Sequence, residues 1–160
     1  MFTAWWMRGP REALSTSANV ASLSALDADA PAIMAAIVPA MLADALPAEP
    51  ALHAGAVDET VANAARAIAG LPPAAQKELQ QLFALLAFAP SRVTMARVMS
   101  PWREASRDEV TAFLQRWRES DWKLQRSAYD ALHQIVYAAW YGNPRSWSSI
   151  GYGGPPSLAA

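Results

Sequence analysis

The sequence predicts an all-α fold: a bundle of about five or six helices, several broken by proline, closed by an irregular C-terminal tail rich in aromatics, glycine and proline. Three observations carry this reading. Apolar residues recur at spacings of three and four, most clearly at Leu79, Leu82, Phe83, Leu86 and Ala87, which marks one buried face of a helix. Helix-start and helix-stop residues bracket such stretches. Strand-type alternation is not evident anywhere.

At 160 residues the chain is most economically one domain, divided into an N-terminal arm (1–23), a helical bundle (24–140) and the tail (141–160), packed on the bundle or on a partner. Hydrophobic residues make up 53% and charged residues 17%, the latter below the ~25% usual for globular domains. A surface so short of charge favours a chain that lives against a partner. The formal net charge of −1, with scattered Lys and Arg, provides no basic stripe and sets nucleic-acid binding aside. Cysteine is absent, which excludes disulfides, thiolate catalysis, iron–sulfur ligation and covalent haem attachment by this chain. The longest apolar run, Ala32 to Ala43, contains Pro39 and is too short to span a bilayer as a helix, so no transmembrane segment is expected.

In chain order, Trp5 and Trp6 in the arm are expected to dock on a surface, this protein's own or a partner's. Ser15 to Asn19 reads as a loop. Ser24 with Asp27 resembles a capping signal for a first helix that runs to about Leu46 and presents Leu26, Ile33, Ile37 and Met41. Pro31 suits a first turn, whereas Pro39 should kink or break the helix. Pro47 and Pro50 make a connector that includes His53. Asp58 can cap a second helix ending at Gly70, with Val57, Val61, Ala64, Ala65 and Ile68 inward.

Pro72-Pro73 opens the third helix, the expected centre of the core, and Pro90 interrupts it. Arg92 to Met99 continues helically at a new angle. Ser106 and Glu109 form a capping box opening a helix with Val110, Phe113, Leu114 and Trp117 on one face. After a turn at Ser120-Asp121, a last helix runs to Trp140 with Leu124, Ala128, Leu132, Ile135, Val136 and Ala139 inward; the two form an antiparallel hairpin.

No catalytic or metal-binding constellation is assembled. The two histidines, His53 and His133, cannot form a His-rich metal site, and no phosphate loop or nucleophile elbow stands out. His133 reads as a partly buried, hydrogen-bonded side chain; Asp130, one turn before it, either orients that ring or caps nothing at all. Arg116, Arg118, Glu119, Asp121, Lys123 and Arg126 cluster at the hairpin turn. They read as a solvated helix end or, with Trp117 and Trp122 between them, as anchors for a partner.

The tail, YAAWYGNPRSWSSIGYGGPP over residues 137–156, is the most distinctive stretch. Gly142 is a natural helix cap and Asn143-Pro144 cannot continue a helix, so the rest is expected to be irregular. Trp140, Tyr141, Trp147, Ile150 and Tyr152 are interleaved with Gly151, Gly153, Gly154, Pro155 and Pro156. Rings that each bury roughly 150–250 Å² supply enough apolar area to pin such a tail to something. The surface it is pinned to is either the chain's own bundle or another protein.

This stretch, with ALHQIVYAAW before it and FLQRWRES upstream, resembles the C-terminal region of the small accessory subunits of periplasmic flavin-dependent dehydrogenases. These are twin-arginine-signal proteins related to gluconate 2-dehydrogenase subunit 3, partners of large oxidoreductases of the glucose–methanol–choline type. The resemblance covers roughly residues 80–156. It implies a non-catalytic subunit that binds and stabilises a large flavoprotein, or helps to mature or export it, in the periplasm. FAD would sit in the partner and no cofactor in this chain. It also implies partner contacts at or near Trp140, Tyr141, Asn143, Trp147, Tyr152, Pro155 and Pro156, joined by Trp5 and Trp6. No signal peptide is evident in Met1 to Arg11: the leader lies upstream of this numbering or the chain travels another way. The reading from another class is a stand-alone helical enzyme or small-ligand carrier whose tail lines an apolar pocket.

Overall fold

The computed structural model describes the backbone of residues 16–147, Gly151 and Gly153, with side chains from Asp29 onward. The described part is an all-α bundle of seven helices, two of them single turns: α1 (Thr16–Leu42), α2 (Pro50–Ala69), α3 (Pro73–Ala87), α4 (Ala89–Ser91), α5 (Arg107–Arg118), α6 (Lys123–Tyr141) and α7 (Pro144–Trp147). No strand is present among the described residues.

The helix starts differ from the sequence reading at two places. Helix α1 begins at Thr16, so Thr16–Asn19 is helical rather than loop, and Ser24 lies inside the helix rather than at its cap. Alanines at positions 18, 21, 25, 28 and 30 give the stretch a helix preference that isolated Ser and Thr signals do not outweigh. The helix also runs on through Pro31 and Pro39. Each proline removes one N–H, and the apolar face at Ile33, Met34, Ile37, Val38 and Leu42 is buried in spite of it. Helix α2 starts at Pro50, eight positions before Asp58, which is exposed in mid-helix. Glu49 supplies the cap, accepting from the N–H groups of Ala51 at 3.4 Å and Leu52 at 3.3 Å, and Pro50 occupies the first turn with its φ preset. His53 therefore belongs to the first turn of α2, with Nδ1 3.2 Å from the Pro47 carbonyl. Val57 and Ala64 are buried as expected, but Ala65 is exposed.

Helix α3 opens at Pro73 and buries Leu79, Leu82, Phe83 and Leu86. Pro90 ends it. The chain then makes the single turn α4 and a π-type turn, Arg92–Ala96. Helical structure stops at Ala96, short of the expected Met99, because Arg97 adopts a left-handed conformation with φ 53°. Its N–H caps the Arg92 carbonyl.

The Ser106 cap forms as read: its Oγ accepts from the Glu109 N–H at 3.2 Å. The Glu109 carboxylate mainly serves the preceding loop, accepting from the backbone N–H groups of Met99 and, at 3.2 Å, Ser100. Burial is the largest single influence on its pKa and acts to raise it, but the donors from Met99, Ser100 and Ser106 together outweigh it and hold the carboxyl below its ordinary value. Helix α5 buries Val110, Phe113, Leu114 and Trp117. Helix α6 buries Ala128, Leu132, Ile135, Val136, Ala139 and Trp140, while Leu124 is half-buried.

Helix α1 packs against α2, α3, α5 and α6; α6 packs against α2 and α5. The core lies where these helices meet, with Ile33, Ile37, Leu86, Val98, Val110, Phe113, Trp117, Leu132 and Val136 all essentially inaccessible. Trp102, in the loop before α5, closes one side: its ring meets Phe113 edge-on at 5.7 Å and its Nε1–H donates to the Leu86 carbonyl at 2.7 Å.

Candidate functional site

The C-terminal corner is built by the residues WYGNPRSW. Helix α6 ends at Tyr141, and Gly142 follows in the right-handed region with φ −70°, so a left-handed cap is not what calls for glycine here. A Cβ at that position would lie 2.6 Å from the Ala138 carbonyl oxygen; close approach excludes a side chain. Asn143 caps a new turn, its Oδ1 accepting from the Arg145 N–H at 3.1 Å, and Pro144 starts that turn. Here the Asn-Pro pair ends one helix and begins another, so residues 144–147 are helical rather than irregular.

Buried Ser146 locks the corner, its Oγ lying 2.7 Å from the Trp140 carbonyl and 2.8 Å from that of Asn143. Trp147 donates its Nε1–H to the Tyr141 carbonyl at 2.8 Å. Arg145 reaches Glu59 of α2 at 3.4 Å, and Asn63 of α2 donates to the Ala139 carbonyl at 3.3 Å. An open groove of about 480 Å³ lies beside this corner, lined by Glu59, Asn63, Arg66, Gly142, Asn143 and Pro144 among others.

Of the expected contact residues, Trp140 packs inward, and its buried indole N–H has no hydrogen-bond partner among the described residues. Tyr141 is exposed; Asn143 and Trp147 are half-buried. Trp5, Trp6, Tyr152, Pro155 and Pro156 lie outside the described residues.

A second crevice, of about 490 Å³, opens where the turn between α5 and α6 faces the π-type turn. Trp117 forms its floor, with its Nε1–H donating to the Met95 carbonyl at 3.2 Å and its ring edge-on to Phe113 at 4.8 Å. Arg116 is half-buried; its Nη2 donates to the Ala96 carbonyl at 2.8 Å, and its buried Nε has no partner among the described residues. Burial, and then the positive charge of Arg97, lowers the Arg116 pKa. Trp122 stands at the rim with 66% of its surface exposed. Of the hairpin-turn residues singled out in the sequence, Arg116, Trp117, Glu119, Asp121 and Trp122 are thus brought together with Thr94, Met95 and Arg97, which the sequence did not connect to them, whereas Arg118, Lys123 and Arg126 do not line the crevice.

Along α6, Tyr129, His133, Tyr137 and Tyr141 form a ladder of rings at four-residue spacing, with centroid separations of 5.8, 4.0 and 5.5 Å. His133 stacks on Tyr137 and makes no hydrogen bond to Asp130, so ring packing, not a carboxylate, orients it. Burial, followed by the neighbouring phenols of Tyr141 and Tyr129, pushes the Tyr137 hydroxyl above its ordinary pKa. The i, i+4 spacing of these aromatics is visible in the sequence, but they flank the apolar stripe, which is the stronger signal on this helix.

Among the described residues, no three His, Cys, Asp or Glu side chains are grouped so as to hold a metal ion. Nor is any described helix long and apolar enough to cross a membrane. No protein-family model, curated protein or solved structure matches the chain.

Proposed function

We propose that this chain is a non-catalytic small subunit that binds and stabilises, or helps to mature or export, a flavin-dependent dehydrogenase of the glucose–methanol–choline type. In this reading FAD and the substrate chemistry belong to the larger partner, the complex is a periplasmic hetero-oligomer, and export follows the twin-arginine route. The resemblance of the tail motif supplies the identity of the partner.

The observation that carries the reading is the construction of the C-terminal corner. Ser146, Asn143 and Gly142 fix the start of the motif on the end of α6, Arg145 and Asn63 tie that corner to α2, and Tyr141 is exposed there beside half-buried Trp147. A pre-ordered aromatic corner is what an interface hot spot requires, because little ordering entropy remains to be lost on docking.

Trp147→Ala tests it. The expected outcome is a complex that dissociates at least about tenfold more readily, while the isolated variant melts within about 1 kcal/mol of the parent. Collapse of the isolated variant in circular-dichroism melts would make Trp147 part of the bundle's own packing and remove the interface. Purification of the tagged chain from its native host, with the eluate scanned for flavin absorbance, tests the partner's identity. A colourless single chain would overturn it.

A further inference from the structure

The crevice at the α5–α6 turn carries an inference independent of any flavoprotein partner. Two guanidinium groups, Arg97 and Arg116, line it, and no carboxylate of the described chain pairs with either: the ion pairs present are Arg118–Glu119 at 3.0 Å and Arg145–Glu59. Two further acids border the crevice, but Glu119 is held by Arg118, and Asp121 lies beyond ion-pair distance of every described cation. Among the described residues, the Arg116 guanidinium donates only to a neutral carbonyl, that of Ala96.

Half-buried Arg116 faces the like charge of exposed Arg97 across an open crevice, and an anion placed between the two would be favoured by both. Arg97 is held there by a left-handed backbone, a conformation costing a non-glycine residue of order 1 kcal/mol, directly after a π-type turn. Strain of this kind gathers at ligand sites. Beside the charges, Trp117 and Met95 supply an apolar floor and Trp122 an exposed flat ring. The volume, about 490 Å³, falls within the usual range for small-molecule sites.

We propose that this crevice is a binding site for a small aromatic carboxylate. The carboxylate is received by Arg116 and Arg97 through charge-assisted hydrogen bonds, and the flat body lies against Trp122 over the Trp117 floor. Ser120 and Gln125, already bonded to each other at 2.6 Å, complete the polar edge.

Indole-3-acetate and its neutral amide, indole-3-acetamide, are the probes. The full chain, labelled with nitrogen-15, is titrated with each while the Trp indole and Arg Nε–H resonances are followed. The acid is expected to shift the Trp122 and Arg116 signals saturably, and the amide to bind at least about tenfold more weakly. Arg97→Gly removes one charge while relieving the left-handed strain, so the variant folds; it is expected to weaken the acid about three- to tenfold and leave the amide unchanged. Arg116→Met is expected to remove the preference for acid over amide altogether. The proposal is overturned if the acid produces no saturable shift at millimolar concentration, if acid and amide bind alike, or if Arg97→Gly leaves the acid's affinity unchanged.

Discussion

Replacing Trp117 with phenylalanine probes the junction on which the crevice rests. The indole is 2% exposed, meets Phe113 edge-on, and with Arg116 ties α5 to the π-type turn, donating to the Met95 carbonyl. The substitution keeps an aromatic ring but removes the N–H, at a net cost of about 1 kcal/mol for a neutral hydrogen bond. It also removes roughly 40 Å² of buried apolar area, worth about 1 kcal/mol at ~25 cal/mol per Å², and leaves a void that adds a fraction more. The expected destabilisation is therefore about 2–3 kcal/mol, or roughly 5–10 °C in melting temperature for a chain of this size. Urea denaturation followed by far-ultraviolet circular dichroism measures it, with an unchanged m-value showing that the folded state is otherwise intact. Trp122→Phe, at the exposed rim, serves as the control and should change stability by less than about 0.5 kcal/mol. If Trp117→Phe were equally mild, the Met95 contact would contribute nothing and the junction would be held by other groups.

Two glycines should respond oppositely to alanine. Gly55 lies inside α2 with open space where a Cβ would go, so Gly55→Ala should stabilise by about 0.5–1 kcal/mol. Gly142→Ala drives a methyl group against the Ala138 carbonyl and should destabilise by about 1–3 kcal/mol; thermal melts of the pair decide both. Because the Glu109 carboxyl is held below its ordinary pKa, its contribution is fully present above the unfolded value near 4.3 and is lost as pH falls through the folded one. The stability gap between parent and Glu109→Gln should accordingly be constant near neutrality and shrink below about pH 4 in denaturant titrations. A gap unchanged at acid pH would show that the carboxylate charge is not what Met99 and Ser100 depend on.

Much of the bundle was legible because its signals are local. Ser106 and Glu109 lie three positions apart, and the stripes on α3, α5 and α6 repeat within a few turns, so short windows of sequence contain them whole. Asp58 misled because several residues can start a helix, and the choice of Glu49 with Pro50 depends on where the preceding loop delivers the chain. The left-handed Arg97 carries no glycine to announce it.

The candidate sites divide in the same way. The cluster from Arg116 to Trp122 was visible as a run in the sequence, yet the other wall of its crevice comes from Met95–Arg97, and the Arg116–Ala96 bond spans 20 residues. Only the packing of α5 against the π-type turn joins them. At the C-terminus the breaking power of Asn143-Pro144 was plain, whereas the capacity of the same pair to start α7 needed the Asn143 side chain to be seen on the Arg145 amide.

The central position of α1 has a consequence for the order in which the chain assembles. Its partners α2, α3, α5 and α6 all follow it in the sequence, and α6, which closes the core over Leu132 and Val136, ends only at Tyr141. The α5–α6 hairpin, by contrast, joins two helices through a four-residue turn and is cheap to close. Among the described helices, α1 thus precedes every helix it packs against, and the cover over Ile33, Ile37 and Val38 is complete only once the hairpin is in place. Until then α2 and α3 are the described partners available to shield its apolar face, and the part that α5 and α6 cover in the finished bundle stays open to water.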